Sequence, residues 1–246
     1  MSTGSTSARR AAKGRAARSE TGFEALNRQI VDCERCARLR EYCCEIGRQR
    51  RAAYREWDYW SRPVPNFGDP RARLLIVGLA PAAHGGNRTG RVFTGDRSGE
   101  WLFRALYKAG FANQPNATHA GDGLELTDCA ITAACHCAPP DNKPTPAELA
   151  NCGQWFSETF DLLPARVILA LGQIGWRAVV AETRRRGWYE GPMPRFGHRT
   201  VVPLAGKRNL LGSYHPSQQN TFTGKLTEPM FDAVFRAARQ LLDAKI

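Results

Sequence analysis

Cysteines, one histidine and a glycine-rich loop are the groups in this sequence whose types and spacing suit chemistry. Cys33 and Cys36 lie three residues apart, so a helix would set both on one face. Cys137 and Cys152 are separated by fourteen intervening residues, across a Pro-rich turn, Ala138-Pro-Pro-Asp-Asn-Lys-Pro144, and the start of a helix. Two remote thiolate pairs closing on one centre would hold either zinc or an iron–sulfur cluster. The irregular second spacing suits a cluster better than a zinc finger, which places its second pair as closely as its first. Cys135 competes with Cys137 for the third ligand position, while Cys43, Cys44 and Cys129 read as small buried hydrophobes. Eight cysteines in 246 residues, with no basic-then-apolar opening segment, point to metal-binding thiols in place of a secreted disulfide framework.

The loop Gly78-Leu-Ala-Pro-Ala-Ala-His-Gly-Gly-Asn-Arg-Thr-Gly-Arg-Val-Phe-Thr-Gly95 follows an apolar run. Gly85-x-x-x-x-Gly90 has P-loop glycine spacing, but Arg91-Val92 stands where that loop needs Lys and a magnesium-binding hydroxyl. What remains is a backbone able to approach a ligand closely, with Asn87, Arg88, Thr94 and Phe93 supplying polar and stacking groups. Phe93 either stacks on a nucleobase or anchors the loop. Farther on, Pro216 stops a strand and sets His215 at a sheet's rim, as an acid, an oxyanion donor or a structural residue. Ser217, Gln218, Gln219, Asn220 and Lys225 make a polar tip suited to phosphates. There is no G-x-S-x-G elbow and no H-E-x-x-H.

The elements that must position these groups alternate. Arg73–Val77, Leu124–Cys135, Arg166–Leu171, Thr200–Leu204 and Asn209–Tyr214 read as strands. Ser98–Ala109, Thr145–Leu162, Gln173–Arg185 and Leu226–Ala244 read as helices. Phe23 to about Arg50 has helical spacing, broken near the cysteines. Trp57, Tyr59, Trp60, Pro63, Pro65 and Phe67 form an aromatic connector that packs on the body. The expected fold is α/β: three layers, α/β/α, around a mainly parallel sheet of about four strands. Ligands then bind beyond the strands' carboxyl ends, at segments 78–97 and 215–227.

The formal net charge of +12 favours a polyanionic partner such as nucleic acid. Residues 1–20, rich in Ser, Ala, Gly and Arg, read as a disordered basic tail, and 21–246 as one domain. The longest nearly uncharged apolar stretch, Leu74–Ala83, is about half a membrane span.

Taken in order, six motifs resemble those of the iron–sulfur uracil-DNA glycosylases, specifically the type-five or type-B branch. They are Cys33-x-x-Cys36, Gly78-Leu-Ala-Pro-Ala82, Gly90-Arg-Val-Phe-Thr-Gly95, Cys137-Ala-Pro-Pro-Asp-Asn-Lys143, Cys152 and His215-Pro-Ser217, and the likeness covers residues 25 to 242. The resemblance implies a [4Fe–4S] cluster on Cys33, Cys36, Cys137 and Cys152, with a structural role. It also implies hydrolysis of the bond between uracil and deoxyribose, leaving an abasic site. On that reading Phe93 stacks on the flipped base, and the backbone at Gly78, Leu79 and Ala80 approaches it. His215 stabilises charge on the departing uracil, and Arg88, Ser217, Gln218, Gln219 and Lys225 hold the DNA. Three departures stand out. Leu79 and Ala80 are apolar where the superfamily has a water-activating acid, which leaves Asn87 as the nearest polar group to position water. Ala133 replaces an Asn that reads uracil's edge in the type-four branch, so hypoxanthine and ethenocytosine are also expected substrates. The usual Leu wedge is missing, leaving Gln218, Gln219 or Phe222 to extrude the base. A monomer in the cytoplasm, associated with the nucleoid, is expected. The competing reading is a basic nucleic-acid-binding module with a structural metal cluster and no chemistry.

Overall fold

The computed structural model describes residues 21–244; the basic tail lies outside the described residues. The N-terminal segment folds as two helices, α1 (Gly22–Val31) and α2 (Ala37–Gln49), so the expected single run breaks between Asp32 and Cys36. Thr21 and Glu24 form a capping box on α1, a device worth about 1 kcal/mol. The same device, Thr145 with Glu148, opens α5 (Pro146–Leu162) behind a Pro at its first turn. Arg38 of α2 grips Glu148 through two bonds of 2.7 Å and so straps the N-terminal helices to α5.

Six strands form one sheet in the order β1-β3-β2-β4-β6-β5. The central four, β3 (Cys129–Ala133), β2 (Leu74–Gly78), β4 (Val167–Leu171) and β6 (Arg208–Ser213), are parallel. Their uniformly apolar centres suit strands covered on both faces. The expected four-stranded sheet is therefore extended by two antiparallel edges, β1 (Phe67–Gly68) and β5 (Val201–Leu204). The second expected strand shrinks to its last half, because 124–128 forms a loop with only an isolated bridge, Ala112 to Leu126.

Helices α4 (Arg97–Lys108) and α8 (Glu228–Asp243) cover one face, with Phe103, Leu106, Phe231 and Phe235 in its core. Helices α5 and α6 (Gln173–Arg185) cover the other, around Phe156, Phe160, Trp176 and Val179. The chain leaves β2 for β3 on one side and later returns to β4 on the other. The carboxyl ends of β2 and β4 thus flank the topological switch, the place where open α/β sheets form a ligand crevice. Among the described residues, no helix is long and apolar enough to cross a membrane.

Candidate active site and thiol pocket

Three elements meet at that crevice. Gly78 ends β2 in register with Ala133 of β3, and its carbonyl accepts from Ala134. A Cβ at Gly78 would sit 3.0 Å from Cε2 of Phe93, so glycine there lets the ring lie against the strand end. Phe93 is half-buried and has φ 52°, a left-handed conformation that costs a non-glycine residue energy. It is held there from the α4 side, since a Cβ at Gly99 would collide with the Phe93 carbonyl.

The Phe93 ring faces His215, with centroids 5.8 Å apart and planes 31° from parallel. His215 lies where the turn after β4 presses on it, a Cβ at Gly172 reaching 3.3 Å from the His215 Cβ. Its carbonyl accepts from Asn220 Nδ2 at 2.8 Å, tying it to the short helix α7 (Gln218–Phe222). Below it, His198 Nδ1 accepts from the Tyr214 N–H and its ring stacks on Tyr214. Burial pushes the His215 imidazole down to about 4, so at neutral pH it is an uncharged ring with one N–H to donate.

Gly78, Ala133, Phe93 and His215 thus come together as the sequence reading expects. Leu79 gives its carbonyl to Cys135, and Ala80 packs against the cysteine core. Ser217 caps α7; Gln218, Gln219 and Lys225 are exposed at its rim.

Two residues of the loop are placed otherwise. Asn87, in the short helix α3 (Gly86–Thr89), is fully buried and donates Nδ2 to the Cys43 carbonyl at 3.2 Å, so its amide nitrogen braces the loop against α2, while its buried Oδ1 has no hydrogen-bond partner. Arg88 is buried between Tyr54 and Trp57, its guanidinium 3.9 and 4.1 Å from their ring centres. It donates to the His84 and Gly95 carbonyls, leaving it no reach to a phosphate. An acid, Asp96, lies at the loop's end. Asp96 caps α4 by accepting from Gly99, and its other oxygen lies where a Cβ of Gly85 would be. Desolvation raises its carboxyl above the ordinary value.

On the far side of this loop, Cys33, Cys36, Cys137 and Cys152 line one narrow pocket with Arg35, Arg40, His136, Asn151 and Trp155. All are free thiols. Cys135 and Cys43 sit behind them: the Cys152 and Cys135 sulfurs are 4.0 Å apart, and Cys135 turns its thiol to the Cys137 carbonyl. The neighbouring Cys43 thiol and burial hold Cys137 in its neutral form, so a thiolate there needs a cation to stabilise it. Among the described residues, no three Cys, His, Asp or Glu side chains converge closely enough to hold a single metal ion.

With this geometry in place, comparison with known proteins supplies the family. The family described as the uracil DNA glycosylase superfamily matches residues 65–239. The chain belongs to that superfamily. It is 49% identical over 218 residues to a type-5 uracil-DNA glycosylase of Mycobacterium bovis, covering 88% of this chain and 80% of that one. The type-5 uracil-DNA glycosylase of Thermus thermophilus is 48% identical over 220 residues, 89% of this chain and 97% of the relative. That of Pyrobaculum aerophilum is 45% identical over 210 residues, 85% and 89% of the two chains. The superfamily match takes in the Gly78 loop, Cys137, Cys152 and His215, and begins beyond the N-terminal cysteine pair.

Proposed function

We propose that this protein is a DNA-repair glycosylase that hydrolyses the bond between uracil and deoxyribose in DNA and leaves an abasic site. The facing pair of Phe93 and uncharged His215 at the sheet's switch point carries this reading. A base buried in a duplex has to leave the stack to be reached, and Phe93 offers the face on which it then lies. As the bond from C1′ to N1 breaks, its electron pair leaves with uracil. The His215 N–H donates to the carbonyl oxygen where that charge gathers. A neutral donor serves here, because the ring is already desolvated and gives up no proton. Water adds to C1′ from the opposite side, and we assign its proton to Asp96, whose raised affinity makes it a stronger base than an ordinary carboxylate. This replaces the role expected of Asn87.

Ala133 leaves no side-chain donor or acceptor beside Gly78, so we extend the substrate range to hypoxanthine and ethenocytosine. Ser217, Gln218, Gln219 and Lys225 contact the DNA backbone from the exposed rim. We assign a [4Fe–4S] cluster to Cys33, Cys36, Cys137 and Cys152. One ion would draw its sulfurs to about 2.3 Å from a single centre, whereas a cluster spreads its ligands around a larger body. Four thiols lining one pocket suit such a body. The group would fix α1 and α2 to α5 and the 134–138 segment; every step above belongs to the chain's own residues.

End-labelled oligonucleotides carrying uracil, hypoxanthine, ethenocytosine or normal bases, cleaved with alkali after incubation, test the reading. Breaks at uracil are expected, with weaker breaks at the other two. Binding without breaks would overturn the enzymatic reading, and uracil-only excision would overturn the wider range.

A further inference from the structure

Helix α5 turns three side chains toward the thiol pocket: Asn151, Cys152 and Trp155 all line it. Cys152 and Trp155 are three residues apart and share a helix face. Asn151 Nδ2 donates to Cys36 Sγ at 3.5 Å, joining the two cysteine pairs through a side-chain amide. Trp155 is 6% exposed, and the Arg35 guanidinium lies 4.8 Å over its ring. Its indole Nε1 is sealed from solvent and has no hydrogen-bond partner.

An indole N–H can only donate, and a buried donor left without an acceptor is costly. The pocket's other unpartnered nitrogen is an acceptor, but no hydrogen bond joins it to the indole. His136 Nδ1 donates to the Val64 carbonyl at 2.8 Å, so its Nε2 presents a lone pair. Arg35 and Arg40 bring positive charge to the same walls. We propose that Trp155 Nε1 donates a hydrogen bond to a sulfur of the group held by Cys33, Cys36, Cys137 and Cys152, and thereby raises its reduction potential. The proposal rests on the iron–sulfur assignment above. An N–H···S bond favours the electron-rich, reduced state over the oxidised one, so its loss moves the potential downward.

The test uses full-length protein purified without air, with iron and sulfide assayed and the midpoint potential followed by electron paramagnetic resonance. Trp155→Phe keeps an aromatic ring under Arg35 and removes the donor. It is expected to retain iron, sulfide and uracil excision while its potential shifts negative; Asn151→Ala, losing the bond to Cys36, is expected to shift the same way. An unchanged potential in a fully loaded Trp155→Phe protein overturns the proposal. Should that variant lose its iron, wild-type protein carrying heavy nitrogen in its indole rings gives the answer. Pulsed resonance of the reduced group is expected to show coupling to that nitrogen, and absence of coupling overturns the proposal. Wild-type protein free of iron and sulfide would instead overturn the cluster assignment, and this inference with it.

Discussion

The two chemistry-bearing segments spend their polar groups in opposite ways. In the loop after β2, almost every donor is used internally. Arg88 is clamped by Tyr54 and Trp57, Asn87 holds Cys43, and Arg91 pairs with Asp122 at 2.7 Å with both side chains buried. In the segment after β6, Gln218, Gln219 and Lys225 are exposed, and Phe222 is 66% exposed with Arg97 against its ring. A loop with its polar side chains turned inward suits the reading of a base by shape and backbone, whereas an open tip suits contact with a varied DNA backbone. Basic residues therefore cannot be ranked as DNA contacts by charge alone; burial decides.

That contrast can be broken experimentally. His215→Ala is expected to slow single-turnover uracil excision by about 10²–10³-fold while leaving DNA affinity near wild type, since it removes the donor aimed at the departing charge. Asp96→Asn should cost on the order of 10² in the same assay. It should also remove the acid limb of the rate profile, which is expected above the ordinary aspartate range because Asp96 is raised. Equal rates for Asp96→Asn and wild type would return the water to another group. Arg88→Leu and Lys225→Ala separate the two segments directly. The first should destabilise the fold by about 2 kcal/mol in thermal or denaturant unfolding with no change in the salt slope of DNA binding. The second should leave stability alone and lower that slope by about one. The smallest effect is expected from Phe222→Ala: a few-fold loss on duplex substrate and none on single strands, where no base has to be extruded.

Acid should act on stability as well. His215 falls from 6.5 in the unfolded chain to about 4 in the fold, so the folded state binds fewer protons in that window. Its contribution is complete above pH 6.5 and is lost as pH falls through 4, which calorimetry between those values would register as a falling melting temperature.

Where local pattern and tertiary need agree, the sequence was readable. Helix α6 and strand β4 lie almost where periodicity put them, and the Thr145–Glu148 cap marks the start of α5. Strand β1 was not readable, because a two-residue edge has no period. Leu124 and Leu126 alternated like a strand, but they pack into the α4–α8 core from a loop. The strand end before His215 was legible because Pro216 stops it, whereas the facing of Phe93 and His215 is a tertiary contact that no local pattern shows. The inward placement of Asn87 and Arg88 was not legible, because their partners, Cys43, Tyr54 and Trp57, are remote in sequence, and nothing local tells an inward polar side chain from an outward one. Asp96 was hidden by a second duty, since a capping aspartate needs no other explanation.

The left-handed backbone of Phe93 carries one more consequence. Folding has already met the cost of that conformation, so on the proposed function a flipped base would dock on a residue whose backbone is already set, and less freedom is surrendered than if that backbone had to be ordered first. Glycine at this position would relax the turn but supply no surface, and a β-branched residue would strain it further. The position therefore admits few alternatives: its tolerance of mutation should be narrow for a reason rooted in the geometry of one torsion angle.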